Sequence, residues 1–91
     1  RKKAEVALVY HNSDIILTID LNINNNYIVQ GDNGDVSITV KNHKIKVDSE
    51  NSPYHLCSKQ GYISKKGESI ICLPNRIIIE LPNNDIDTEV K

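Results

Sequence analysis

The sequence predicts an all-β domain: a small β-barrel or sandwich of about seven short, mostly antiparallel strands with one short helical turn. Three observations carry this. Apolar residues alternate with polar ones at a period of two instead of recurring at helical spacing. The apolar set is mainly Ile, Val and Leu, with no Phe, Trp or Met in 91 residues, and β-branched side chains suit a pleated, half-buried surface. Turn signals separate the apolar runs at short intervals.

The first strand places Ala4, Val6, Leu8 and Tyr10 on one face. After a break at His11-Asn12-Ser13, Ile15, Leu17, Ile19 and Leu21 line one side of a second strand, with Asp14, Thr18 and Asp20 on the other. The Asn-rich stretch 22–26 reads as a loop, and Tyr27-Ile28-Val29 as a short third strand. Gly31-Asp32-Asn33-Gly34 follows, and its Asn-Gly pair supplies the positive φ angles of a tight turn. Val36, Ile38 and Val40 alternate with Ser37 and Thr39. Past a hairpin tip at Asn42-His43, Ile45 and Val47 alternate with Lys44, Lys46 and Asp48. These runs together read as a β-meander.

Residues 53–60 break the alternation and read as about two helical turns. Ser52 can cap them, Pro53 suits the first helical position and Gly61 a left-handed stop. Sheet resumes with Tyr62-Ile63, a Lys65-Lys66-Gly67 turn and Ser69 to Leu73. A Pro74-Asn75 turn then leads into Arg76 to Leu81, the proline suiting a type I or II turn. The expected organisation is one domain over residues 1–82 and a frayed tail over 83–91. A chain this short buries about two thirds of its unfolded surface, too little for two cores.

A formal net charge of −1 excludes a strongly basic protein. The charges are nevertheless uneven, with residues 41–76 basic between two acidic flanks. Such a distribution suits an anionic partner, or simply the solvated faces of strands. No stretch approaches the roughly 18 to 20 apolar residues of a membrane-spanning helix, and no signal-peptide core is present, so the domain itself reads as soluble. The chain opens on Arg1-Lys2-Lys3 without a methionine and reads as a piece of a longer product, with an upstream anchor possible.

Two cysteines, Cys57 and Cys72, lie 15 positions apart on either side of a Lys/Gly-rich turn. If the helical turn folds back over the sheet the thiols meet, and a bond closing such a loop is worth about 3 kcal/mol in an oxidising compartment. Free buried thiols and a metal site are the alternatives. A zinc site needs about four N or S ligands; His11, His43 and His55 complete the number, but no Cys-x-x-Cys pair is present. A cysteine nucleophile needs a base in reach, and His55 lies two residues from Cys57, a spacing that does not face on a helix. Asp32/Asp35 and Asp85/Asp87 sit in turns and the tail, where Asp serves the local backbone. No phosphate-binding or nucleophile motif appears, so no catalytic residue, metal or cofactor is assigned and the chain reads as non-enzymatic.

The stretch SPYHLCSKQGYISKKGESIICLPNRIIIEL resembles the C-terminal half of NusG domain II. That family runs roughly Cys-Pro-x-x-x-Cys, Gly-Tyr/Trp-Ile, a turn, and Ile-x-Cys-Leu-Pro-Asn before an apolar strand. The pattern falls here on Ser52, Pro53, Cys57, Gly61, Tyr62 and Ile63, then on Ile70, Cys72, Leu73, Pro74 and Asn75. The family occurs as an insertion in some NusG transcription factors and as stand-alone small proteins, mostly of Firmicutes. The resemblance implies a compact β-barrel-like fold with no established activity. For stand-alone members it implies an N-terminal membrane anchor with the domain outside the cytoplasm. Ser52 replaces the family's first cysteine, which leaves a three-cysteine metal site incomplete and implies a disulfide between Cys57 and Cys72.

The expected role is an accessory module, membrane-anchored and extracytoplasmic, binding an unknown protein or envelope component. Lys59, Tyr62, Lys65, Lys66, Asn75 and Arg76 form the candidate interaction surface, since loops carry function more often than strands. The same lysines also suit the plainer task of keeping turns soluble and sheet edges unpaired. The alternative is a cytoplasmic, transcription-associated module contacting nucleic acid. It would draw on Lys41, Lys44, Lys46, Lys59, Lys65, Lys66 and Arg76, with Tyr54 or Tyr62 for stacking.

Overall fold

A computed structural model of the chain describes residues 2–84. In chain order the elements are β1 (Val6–His11), β2 (Asp14–Asp20), β3 (Asn25–Gly31), β4 (Gly34–Lys41), β5 (Lys44–Ser49), α1 (Leu56–Gln60), β6 (Ser69–Cys72) and β7 (Ile77–Glu80). They form a four-stranded sheet in the order β2-β1-β7-β6 and a three-stranded sheet in the order β3-β4-β5, every pairing antiparallel. The all-β expectation holds. The architecture is a sandwich and not a closed barrel.

The expected meander is divided between the two sheets. Leu21, fully buried, donates its backbone N–H to Glu5 O at 2.9 Å, and Asp20 Oδ1 accepts the Asn22 N–H at 2.9 Å. This short-range carboxylate turn ends β2 and sends the chain across to the second sheet. The polar loop is shorter than the sequence implies, because Asn25 and Asn26 join β3 opposite Val40 and Thr39.

The core is aliphatic. Val36, Ile38 and Val40 of β4 and Ile45 and Val47 of β5 point inward as the alternation requires, against Ile19 and Leu21 from the first sheet. The expected face of β1 holds only in part: Ala4 and Leu8 are buried, but Val6 and Tyr10 are half-buried, and Ala7 and Val9 on the other face belong to the core. With Ala7 and Val9 buried on one face and Leu8 on the other, the alternation of β1 gives little discrimination. A bulge explains β2. Val9 pairs with Leu17 and Tyr10 with Ile15, leaving Ile16 without a partner in the ladder, and beyond that point Ile15 and Ile16 are both exposed.

Turn chemistry follows the sequence closely. Asn42 and His43, at φ 52° and 65°, make a left-handed hairpin tip between paired Lys41 and Lys44. Pro74 and Asn75 sit in the middle of a turn closed by Arg76 N–H to Leu73 O at 3.1 Å. In the Gly31–Gly34 turn the positive φ falls on Gly34, not on Asn33, whose N–H is taken by Asn75 Oδ1 at 2.8 Å.

Tyr62-Ile63 does not extend into the expected strand; residues 62–66 suture the two sheets through isolated bridges. Ile63 and Ile45 exchange both backbone hydrogen bonds, at 2.9 and 3.0 Å. On the other side, Ala4 N–H donates to Ser64 O at 2.8 Å and Lys66 N–H to Lys2 O at 3.0 Å. The segment therefore joins the β5 edge to the residues entering β1. The following turn is fastened by Glu68, whose carboxylate accepts the Ser64 and Lys65 N–H groups at 3.1 and 2.7 Å.

The helical segment is shorter than expected and begins later. Ser52 does not cap it, because its hydroxyl donates to the buried Glu50 carboxylate at 3.0 Å. His55 occupies the cap position in a left-handed conformation, and the single helical turn runs from Leu56. Cys57 and Cys72, both buried, are joined in a disulfide with Cα atoms 5.6 Å apart, tying α1 to β6. Reduction, or Cys57→Ser with Cys72→Ser, is expected to cost about 3 kcal/mol by the loop-entropy argument. Urea unfolding with and without reductant measures it.

Candidate functional site

The β6–β7 register pairs Cys72 with Ile77 and Ser69 with Glu80, and Gly67 N–H donates to Leu81 O at 2.6 Å. Arg76 therefore lies at one end of the sheet and the Lys65–Gly67 turn at the other. The candidate interaction residues are thus not one surface, and each end has its own chemistry.

At the first end a single carboxamide gathers the loops. Asn75 is fully buried. Its Oδ1 accepts the Asn33 N–H at 2.8 Å, its Nδ2 donates to Asn51 O at 3.2 Å and its backbone O accepts the Asp32 N–H at 3.1 Å. This corrects its assignment to the interaction surface: Asn75 is an internal tie. A Cβ on Gly31 would lie 2.5 Å from Asn75 Oδ1, so only glycine fits there. Arg76 covers the knot, with Nε 3.0 Å from Asp32 Oδ2 and Nη1 donating to Asn12 Oδ1 at 3.2 Å, while His11 Nε2 meets Asp32 Oδ1 at 2.7 Å.

Beside this end lies an apolar groove of about 240 Å³ against the disulfide, lined by Pro53, Tyr54, Leu56, Ile71, Leu73 and Pro74 among others. Tyr54, Leu56 and Leu73 are each about 70% exposed (72%, 68% and 77%), more apolar surface in one place than scattered single residues would give. Sequence reasoning missed it. Ile71 and Leu73 flank Cys72 in the alternation, and their outward position was the available signal.

The second end is basic. The Ile45–Ile63 bridge sets Lys46 opposite Tyr62, and Lys46 Nζ stands 5.1 Å from the centroid of that ring. Lys41, Asn42, Lys44 and Tyr62 line a cleft of about 260 Å³. The Lys3–Lys65 bridge brings Lys2 and Lys3 beside Lys65 and Lys66, level with the Asn42-His43 tip. Lys59 is exposed in the last turn of α1.

Among the described residues, the remaining titratable groups do not converge on the sulfurs. His11 is engaged with Asp32, His55 Nδ1 lies 3.2 Å from Glu50 O, and His43 is at a hairpin tip. Tyr10 has its phenol raised above the ordinary value, by burial first and then by the charge of Glu80, to which it donates at 3.4 Å. That shift moves it further from neutral pH, away from acid–base use.

A sandwich stapled through its one helical turn defines a small scaffold module of two antiparallel sheets. The chain belongs to the NusG domain II family, whose model matches residues 1–85. Its fold is similar to that of the Lin0431 protein from Listeria innocua, at 26% identity over 92% of this chain and 100% of that one, with a TM-score of 0.80. It is also similar to two DUF1312 family proteins. EF3258 from Enterococcus faecalis is 27% identical over 88% of this chain and 98% of its own, with a TM-score of 0.79. The Ruminococcus gnavus protein is 28% identical over 85% of this chain and 96% of its own, with a TM-score of 0.73. No curated protein matches.

Asn75→Ala is expected to cost about 2 kcal/mol, because it strips partners from the Asn33 N–H and Asn51 C=O. Gly31→Ala is expected to cost about 1–3 kcal/mol by overpacking, and less in an Asn75→Gly background where the opposing side chain is gone. Denaturant titration of the double-mutant cycle reads the coupling.

Proposed function

We propose that this domain is a non-catalytic binding module that works in an oxidising compartment outside the cytoplasm, held at the membrane surface by a preceding segment. The observation that carries the reading is the Cys57–Cys72 disulfide. Crosslinks between buried cysteines belong to exported proteins, whereas cytosolic thiols are kept reduced. The anchor is carried over from stand-alone members that the sequence resembles. A non-catalytic role is supported by both sulfurs being consumed in the staple and by His11 and His55 engaging Asp32 and the Glu50 carbonyl instead of the sulfurs.

The partner is an envelope component or an exported protein, met at one of the two ends of the sandwich. The competing assignment, a cytoplasmic transcription-associated module touching nucleic acid, requires a reduced pair. Rapid acid quenching of cells that express the natural full-length product, followed by alkylation before and after reduction, separates the two. The proposed location gives no alkylation until reductant is added. Two thiols open to alkylation at quench overturn it.

A further inference from the structure

We propose that the cleft between the β4–β5 hairpin and Tyr62 is a binding site for a phosphodiester polymer whose repeating unit is a polyol, not a nucleoside. The inference names a ligand class for one end of the module and does not rest on the location proposed above.

The cleft walls are Lys41, Asn42, Lys44 and Tyr62, with no carboxylate among them. Lys41 and Lys44 are a register pair across the hairpin, so their Cα atoms face one another where the tip holds the strands together. Lys44 and Lys46 are two apart on the outward face of β5, about 7 Å along the strand. That is an interval a flexible phosphodiester chain can match. Lys46 is held by Tyr62 on one side and by Asp48 at 3.3 Å on the other. The positive surface continues past the cleft to Lys65, Lys2 and Lys3, so a chain of anions finds more contacts than a single one. Among the described residues on that side, Glu68 accepts the Ser64 and Lys65 N–H groups with its carboxylate.

The chemistry of these groups narrows the ligand. The cations are lysines, compact point charges that suit a tetrahedral phosphate. Arginine, which forks onto carboxylate and phosphate alike, is not among the residues lining the cleft, and Arg76 is at the far end of the sandwich, committed to Asp32. Single-stranded nucleic acid is held by bases stacked on free aromatic faces. Here Lys46 stands over the Tyr62 ring, Tyr27 packs against the core and Tyr54 lines the distant groove. Asn42 offers an amide donor and acceptor to hydroxyl groups. Phosphate with hydroxyls and no stacked base is the combination the cleft fits.

The test titrates the 91-residue chain with poly(glycerol phosphate) and with single-stranded RNA of equal phosphate number, following backbone amide shifts. The expected result is binding of the polyol phosphate with shifts confined to residues 2–3, 41–46 and 62–66. Affinity should fall roughly 20-fold between 50 and 200 mM salt, as about three phosphate contacts require. Lys44→Glu should weaken binding about tenfold by removing and opposing one contact. Arg76→Glu, the same charge change at the opposite end, should alter it less than twofold. No binding at 50 mM salt, equal loss in the two variants, or RNA binding as tightly as the polyol phosphate would each overturn the proposal. The wild-type shift map decides the matter even where a variant fails to fold.

Discussion

Among the described residues the largest fully buried side chains are all Ile, Leu or Val, and this aliphatic constraint governs the rest of the molecule. Aromatic rings bury the most surface per residue in most small cores. A domain of this size without them gains little from its interior alone. The structure accordingly relies on devices outside the core: a disulfide that fixes the helical turn, a buried carboxamide that gathers the loops, and a backbone suture that joins the sheets. Each acts at an end or a side of the sandwich.

Local patterns were legible where one neighbour decides the outcome. The alternation in β4 and β5 gave the inward faces, and Asn42-His43 and Pro74-Asn75 gave the turns, because turn geometry depends on the φ angles of the residues themselves. The face of β1 and the bulge at Ile16 were not legible, since both depend on which strands flank them. The helix start misled because Ser52 has the chemistry of a cap but spends its hydroxyl on Glu50. Cap preference describes a hydroxyl with no better partner.

The candidate site shows the same division. Lys65 and Lys66 read correctly as a turn, but their meeting with Lys2 and Lys3 is a tertiary pairing across some sixty positions of chain that no local rule encodes. Asn75 reads as a surface residue because it stands in a turn, and loops carry function more often than strands. Its partners lie 42 and 24 residues away. The pairing of Cys57 with Cys72 was legible through the family pattern, and the structure places the two thiols together for the reason that pattern implies.

The suture at residues 62–66 runs along only one flank of the sandwich, where β5 meets the entry to β1, whereas β2 and β3 end their sheets on the opposite flank. The molecule is bound like a book, with a spine of main-chain hydrogen bonds and a free fore-edge. Breathing motions should widen from spine to fore-edge, so amide protons of β2 and β3 exchange with solvent sooner than those beside Ile63. A fore-edge with two exposed strand margins is also where a visiting strand would find backbone groups to pair with.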